Sequence, residues 1–161
     1  MSMKKALLIA ETVLGQDLSA EECELLSHAV NHRQLNKGEI LFDEGAKDET
    51  LYILTSGKLE VLKMLGGETS ISIDTLKPGT MTGELSFIDG AEHTMRLIAK
   101  QDSEVIMLKR EAFEGLVEKE PLLTYHVMRS ILRYSHQLQR KINSKYLEMH
   151  RLVQNQYTAQ Y

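Results

Sequence analysis

The side chains able to do chemistry are few, and their spacing does not favour catalysis. His28 and His32 stand four residues apart in a stretch predicted to be helical, a separation that seats a metal ion when further ligands converge. No third ligand lies nearby in sequence, and a solvated helix face accounts for both. The chain has no His-x-His pair of the kind that, with a glutamate, holds a metal inside a double-sheet barrel. Gly-x-Ser-x-Gly, phosphate-loop and Cys/His nucleophile patterns are missing too. The single cysteine, Cys23, can neither close an internal disulfide nor hold zinc by itself. No catalytic residue, metal or cofactor is expected.

A chain of 161 residues, 42% hydrophobic and 26% charged, fits one domain. Such a domain buries roughly two thirds of the surface its unfolded chain exposes. The composition excludes disorder and low-complexity sequence. No run approaches the roughly 18 apolar residues of a spanning helix. After Lys4-Lys5 only five apolar residues precede Glu11, too few for the core of a signal peptide. A cytoplasmic protein with no membrane partner is the expectation.

The net charge of −4 conceals an asymmetry: residues 121–161 hold six Lys or Arg and one Asp or Glu, a net of +5, which leaves −9 for residues 1–120. A basic segment reads as a nucleic-acid or acidic-membrane patch, or as the solvated face of a helix. Here the charges interleave with Leu, Ile, Val and Met at helical spacing, which favours the solvated face.

Punctuation divides the chain into three zones. In residues 1–36, Ser19-Ala20-Glu21-Glu22 is a capping box, followed by Leu25, Leu26, Ala29 and Val30 at helical spacing. Helices are expected on either side of a break near Gly15. Eight of the ten glycines then fall between Gly38 and Gly90, separating short strand-like segments at 39–42, 50–54, 58–63, 70–76, 94–100 and 104–109. Leu65-Gly66-Gly67-Glu68 suits a hairpin turn. Six or more short strands with glycine turns predict an antiparallel sandwich or barrel. Beyond Arg110 a short helix to Glu118 precedes Pro121, and a long helix runs on to about Tyr157.

That last helix, about 54 Å long at 1.5 Å per residue, exceeds the width of the domain. Met128, Ile131, Leu138, Ile142, Met149 and Leu152 fit a heptad seam, with Ser135 and Lys145 at two further seam positions. The expectation is a parallel homodimer through this helix. Residues 1–120 are assigned to N-terminal helices and barrel, and 121–161 to the dimerisation helix, as one domain overall.

Leu35-Asn36-Lys37-Gly38-Glu39-Ile40-Leu41-Phe42-Asp43-Glu44-Gly45 resembles the opening of the cyclic nucleotide-binding domain family, which includes the catabolite activator protein and protein kinase A regulatory subunits. The likeness continues through Leu51-Tyr52-Ile53-Leu54-Thr55-Ser56-Gly57-Lys58-Leu59-Glu60-Val61, then Leu76-Lys77-Pro78-Gly79 and Gly83-Glu84-Leu85-Ser86-Phe87-Ile88. It covers residues 19 to about 142, departs at Lys37 where the family usually has Pro, and implies a double-stranded β-helix (jelly-roll) barrel.

By resemblance, the ligand is a cyclic mononucleotide, cAMP or cGMP. Its phosphate would meet the free N–H groups of a short helix beginning near Gly83. Gly83 would let the backbone approach without a Cβ. Glu84 would accept from the ribose 2′-hydroxyl, and Leu85, Ser86 and Thr94 would complete the site, the last two through backbone N–H groups. Where the family usually places a phosphate-neutralising Arg, this chain has His93, whose imidazole lacks the fixed fork of a guanidinium. His93 is read either as a weaker phosphate donor or as a surface-loop histidine. Arg96, an odd number of positions along a predicted strand, should face the other way. Leu138 and Gln139 fall where the bacterial activator contacts the purine.

About 18 residues follow Asn143, too few for an appended helix-turn-helix, so no sequence-specific DNA binding is expected of this chain alone. Two functions stay open: a cyclic nucleotide sensor signalling through its C-terminal helix to an unknown downstream protein, or a degenerate domain kept for protein contacts.

Overall fold

The computed structural model describes residues 2–159. Its elements are α1 (Ser2–Ala10), a 3-10 turn over Val13–Asp17, α2 (Ala20–Ser27), β1 (Val30–Leu35), β2 (Ile40–Phe42), β3 (Thr50–Ser56), β4 (Leu59–Gly66), β5 (Thr69–Leu76), β6 (Met81–Thr82), α3 (Glu84–Asp89), β7 (Arg96–Ala99), β8 (Ser103–Lys109), α4 (Arg110–Glu114) and α5 (Pro121–Thr158).

Eight antiparallel strands form two four-stranded sheets, β1-β8-β3-β6 and β2-β7-β4-β5. They stack in jelly-roll fashion, but the two sheets do not share a hydrogen-bonded ladder, so the expected barrel is not closed. The run Leu51-Tyr52-Ile53-Leu54 explains the layering. Leu51 and Ile53 point into a core shared with the helices, while Tyr52 and Leu54 point between the sheets. A strand covered on both faces reads as continuously apolar rather than alternating. The first core joins Ile9, Leu14 and Leu26 of the N-terminal segment to Val127 and Ile131 of α5; the second contains Leu41, Phe42, Leu59, Leu97 and Val105.

The Ser19–Glu22 capping box is present in both directions and starts α2 as expected. The helix ends at Ser27, however, and Val30 opens β1 instead of continuing it. β1 pairs with β8 from Val30↔Leu108 to Leu35↔Ser103. His28 therefore caps α2 while His32 lies on a strand, 3.2 Å from Glu104, which removes the i, i+4 helical pair. Among the described residues no three His, Cys, Asp or Glu side chains converge as a metal site, and no helix is long and apolar enough to cross a membrane.

The β4–β5 hairpin turns through Gly66 and Gly67, both with positive φ. The short helix after β8 stops at Glu114 rather than Glu118. Pro121 occupies the first turn of α5, where its missing N–H costs nothing. The first half of α5 is fastened to the N-terminal segment: Ser130 Oγ donates to the Leu14 carbonyl at 3.0 Å, Arg133 pairs with Asp17 at 2.8 Å, and His126 Nδ1 lies 2.6 Å from Glu22. Beyond Ile142 every described residue of α5 is exposed.

Candidate functional site

A cavity of about 450 Å³ lies between the β2-β7-β4-β5 sheet, the start of α3 and one face of α5. That size is ordinary for a small-molecule site. Gly83 caps α3 with φ 80°, a left-handed conformation that favours glycine. A Cβ there would sit 2.8 Å from the Thr50 carbonyl oxygen, so the position is closed to other residues on two counts. The first backbone bond of the helix runs from Phe87 N–H to the Gly83 carbonyl at 3.0 Å. The Leu85 and Ser86 N–H groups precede it, where helix geometry leaves donors without an intrahelical acceptor.

Gly83, Glu84, Leu85, Ser86, His93 and Thr94 all line this one cavity. Burial pushes the Glu84 carboxyl above its ordinary value, while its own backbone N–H and nearby His93 pull it down. Leu85 is an exposed lip, and the Ser86 hydroxyl faces away, accepting from the Glu49 N–H at 3.1 Å. What Ser86 can offer a ligand is its backbone N–H. Thr94 is exposed, and its carbonyl accepts from Lys63 Nζ at 3.2 Å.

His93 is not a surface-loop residue. Its side chain is 4% exposed, Nε2 lies 2.9 Å from Asp48 Oδ1, and the ring stacks on Phe42 with centroids 3.7 Å apart. Asp48 also accepts from the Tyr52 hydroxyl and the Thr50 N–H. His93 Nδ1 makes no hydrogen bond to a described residue. Since every fully buried side-chain nitrogen or oxygen among the described residues has a partner, Nδ1 is not fully buried, and His93 lines the cavity. Arg96 does turn elsewhere, donating twice to Asp43 at 2.9 and 2.8 Å, although His93 precedes β7 and does not share its alternation.

The α5 wall needs correcting. Leu138 lines the cavity, but Gln139 is exposed and is not part of the lining. Tyr134, Lys141, Ile142 and Lys145 are. Tyr134 and Leu138 are one turn apart, so the helical period that placed Leu138 also carries Tyr134 to the same face. Burial, with the Glu84 and Asp74 carboxylates near, pushes the Tyr134 phenol up to about 12. Lys141 pairs with Asp74 at 3.7 Å, tying α5 to β5 across the mouth.

The family model of the cyclic nucleotide-binding domain matches residues 32–120, which contain the glycine-capped helix start, the half-buried Glu84 and His93. The chain belongs to this family. This cyclic nucleotide-binding domain is 28% identical over 120 residues to the cyclic AMP receptor protein of Thermus thermophilus, covering 74% of the chain and 56% of that protein. A cyclic nucleotide-binding domain from Methylobacillus flagellatus has the same fold, with a TM-score of 0.83 at 23% identity, covering 91% of this chain and 84% of that one. A lysophospholipase of Neosartorya fischeri is 26% identical over 145 residues, which cover 87% of this chain and only 10% of that enzyme. The chain spans about half the length, or less, of these curated relatives.

Proposed function

We propose that this domain is a cyclic mononucleotide sensor that reports occupancy through α5 and carries no catalytic activity of its own. The observation that carries this reading is the convergence of Gly83, Glu84 and the α3 N–H groups on a cavity closed by α5. The ligand phosphate would accept from the Leu85 and Ser86 N–H groups; because His93 donates Nε2–H to Asp48, its Nδ1 would donate to phosphate only with the imidazole protonated. Ionised Glu84 would accept from the ribose 2′-hydroxyl, a charge-assisted bond. Leu138 would pack on the base. A thermal-shift panel with cyclic AMP, cyclic GMP and cyclic dinucleotides tests this: stabilisation by a cyclic mononucleotide supports it, and no stabilisation by any at millimolar concentration contradicts it.

The second half of α5 supports a parallel homodimer, though not with the seam expected from sequence. Ile131 is 1% exposed in the domain's own core and Leu138 packs against that core, so neither is free for a partner. The outward stripe with 3,4 spacing is Met128, Leu132, Ser135, Gln139, Ile142, Tyr146, Met149 and Val153. In this phase Gln139 belongs to the seam rather than to the base pocket.

One observation favours a protein-interaction module without ligand. His93 already spends one nitrogen on Asp48, and the cavity carries the carboxylates Asp74, Glu84 and Glu92. In that case no cyclic nucleotide binds, while the dimer persists.

A further inference from the structure

Tyr134 is 8% exposed, lines the cavity from α5, and its hydroxyl makes no hydrogen bond to a described residue. Because no fully buried polar side-chain atom among the described residues is left without a partner, that oxygen is not sealed in the core, and the residue that carries it lines the cavity. It lies close enough to Glu84 and Asp74 to feel both carboxylates. A packed ring with an open hydroxyl is a rigid donor; leaving it unpaired once a bound ligand has excluded water from the cavity is costly. Glu84, when ionised, only accepts. A ligand hydroxyl placed at Glu84 must therefore donate its proton there, and its oxygen keeps lone pairs for a second donor.

Resting on the nucleotide-sensing reading, we propose that Tyr134 is a specificity-determining residue that donates a hydrogen bond to the ligand's 2′-hydroxyl oxygen while that hydroxyl donates to Glu84. The chain Tyr134 O–H to O2′–H to Glu84 makes one ligand hydroxyl bridge α5 and α3. It selects ribose-containing ligands over their 2′-deoxy analogues, because the analogue leaves both a buried donor and a buried acceptor unmatched. It also gives the ligand a direct hold on α5, which the protein makes no other use of at this hydroxyl. With its phenol pushed up to about 12, Tyr134 stays a donor throughout the neutral range.

The test is a ligand-and-protein double-mutant cycle by titration calorimetry, using the whole chain, wild type and Tyr134→Phe, with cyclic AMP, cyclic GMP and their 2′-deoxy analogues. Phe keeps the ring in the core, and matching melting curves of the unliganded proteins check that the fold is unchanged. The expected result is a loss of about three- to tenfold for the ribose ligands on Tyr134→Phe and no loss for the 2′-deoxy analogues, whose binding holds or tightens once the unmatched donor is gone. Equal losses for both ligand types, or no loss for either, overturn the role of Tyr134 while leaving nucleotide sensing intact. If wild type and Tyr134→Phe bind none of the ligands, nucleotide sensing fails and the bridge with it.

Discussion

His93 Nε2 lies 2.9 Å from Asp48 Oδ1 across 45 residues of sequence, and this pair fixes the direction in which the imidazole faces. Asp48 accepts from Nε2–H on one side of the ring, Phe42 stacks on its flat face, and the residue lines the cavity. With Nε2–H so spent, Nδ1 is an acceptor in the neutral ring and a donor only in the protonated one.

Removing Asp48 undoes that orientation. Asp48→Ala strips partners from His93, Tyr52 and Thr50 at once and is expected to cost about 1–3 kcal/mol of stability by chemical denaturation. Nucleotide affinity should fall with it. A variant as stable as wild type with unchanged affinity would show that Asp48 does not hold the ring.

Glu84 sets function against stability. Burial raises its carboxyl above the ordinary value in the folded chain, so the unfolded chain loses its proton first as pH rises. The resulting penalty is absent in acid, grows through the ordinary carboxylate range and is complete above the raised value. Glu84→Gln should therefore melt higher than wild type at pH 7, with the advantage narrowing toward pH 4, and should bind ligand more weakly. Equal melting temperatures at both pH values would contradict this.

The dimer prediction separates two adjacent stripes of α5. Tyr146→Asp or Met149→Asp lies beyond the barrel and should convert dimer to monomer in sedimentation at tens of micromolar, with the melting of the domain core unchanged. Ile131→Ala should instead cost about 2–5 kcal/mol of domain stability by opening a cavity. A wild-type chain that sediments as a monomer at that concentration contradicts the homodimer.

The contrast shows where the sequence is legible. Glycine spacing, the Ser19–Glu22 box, the long helix from Pro121 and the start of a short helix at Gly83 are local signals and stand in the structure as expected. β1 is illegible because Asn31, His32, Arg33 and Gln34 between its two apolar ends carry no alternation; the strand exists because β8 offers it a ladder. The heptad on α5 was offset for a similar reason. A repeat in sequence marks apolar faces without saying which one the chain's own core occupies, and Ile131 and Leu138 go to that core. The sequence left two readings of His93 open because its burial depends on Asp48 and Phe42, distant in sequence. Tyr134 was one helical turn from a predicted contact and needed only the same period extended backward.

The most direct measurement is titration calorimetry of wild type, Glu84→Ala and His93→Arg with cyclic AMP and cyclic GMP. Sensing predicts that wild type binds at least one of them below millimolar concentration. Glu84→Ala should abolish most of that binding, and His93→Arg should tighten it by about 1–3 kcal/mol through a stronger charge-assisted contact to phosphate. No binding by wild type at millimolar ligand, with none restored by His93→Arg, would contradict the sensor and leave the domain as a protein-interaction module.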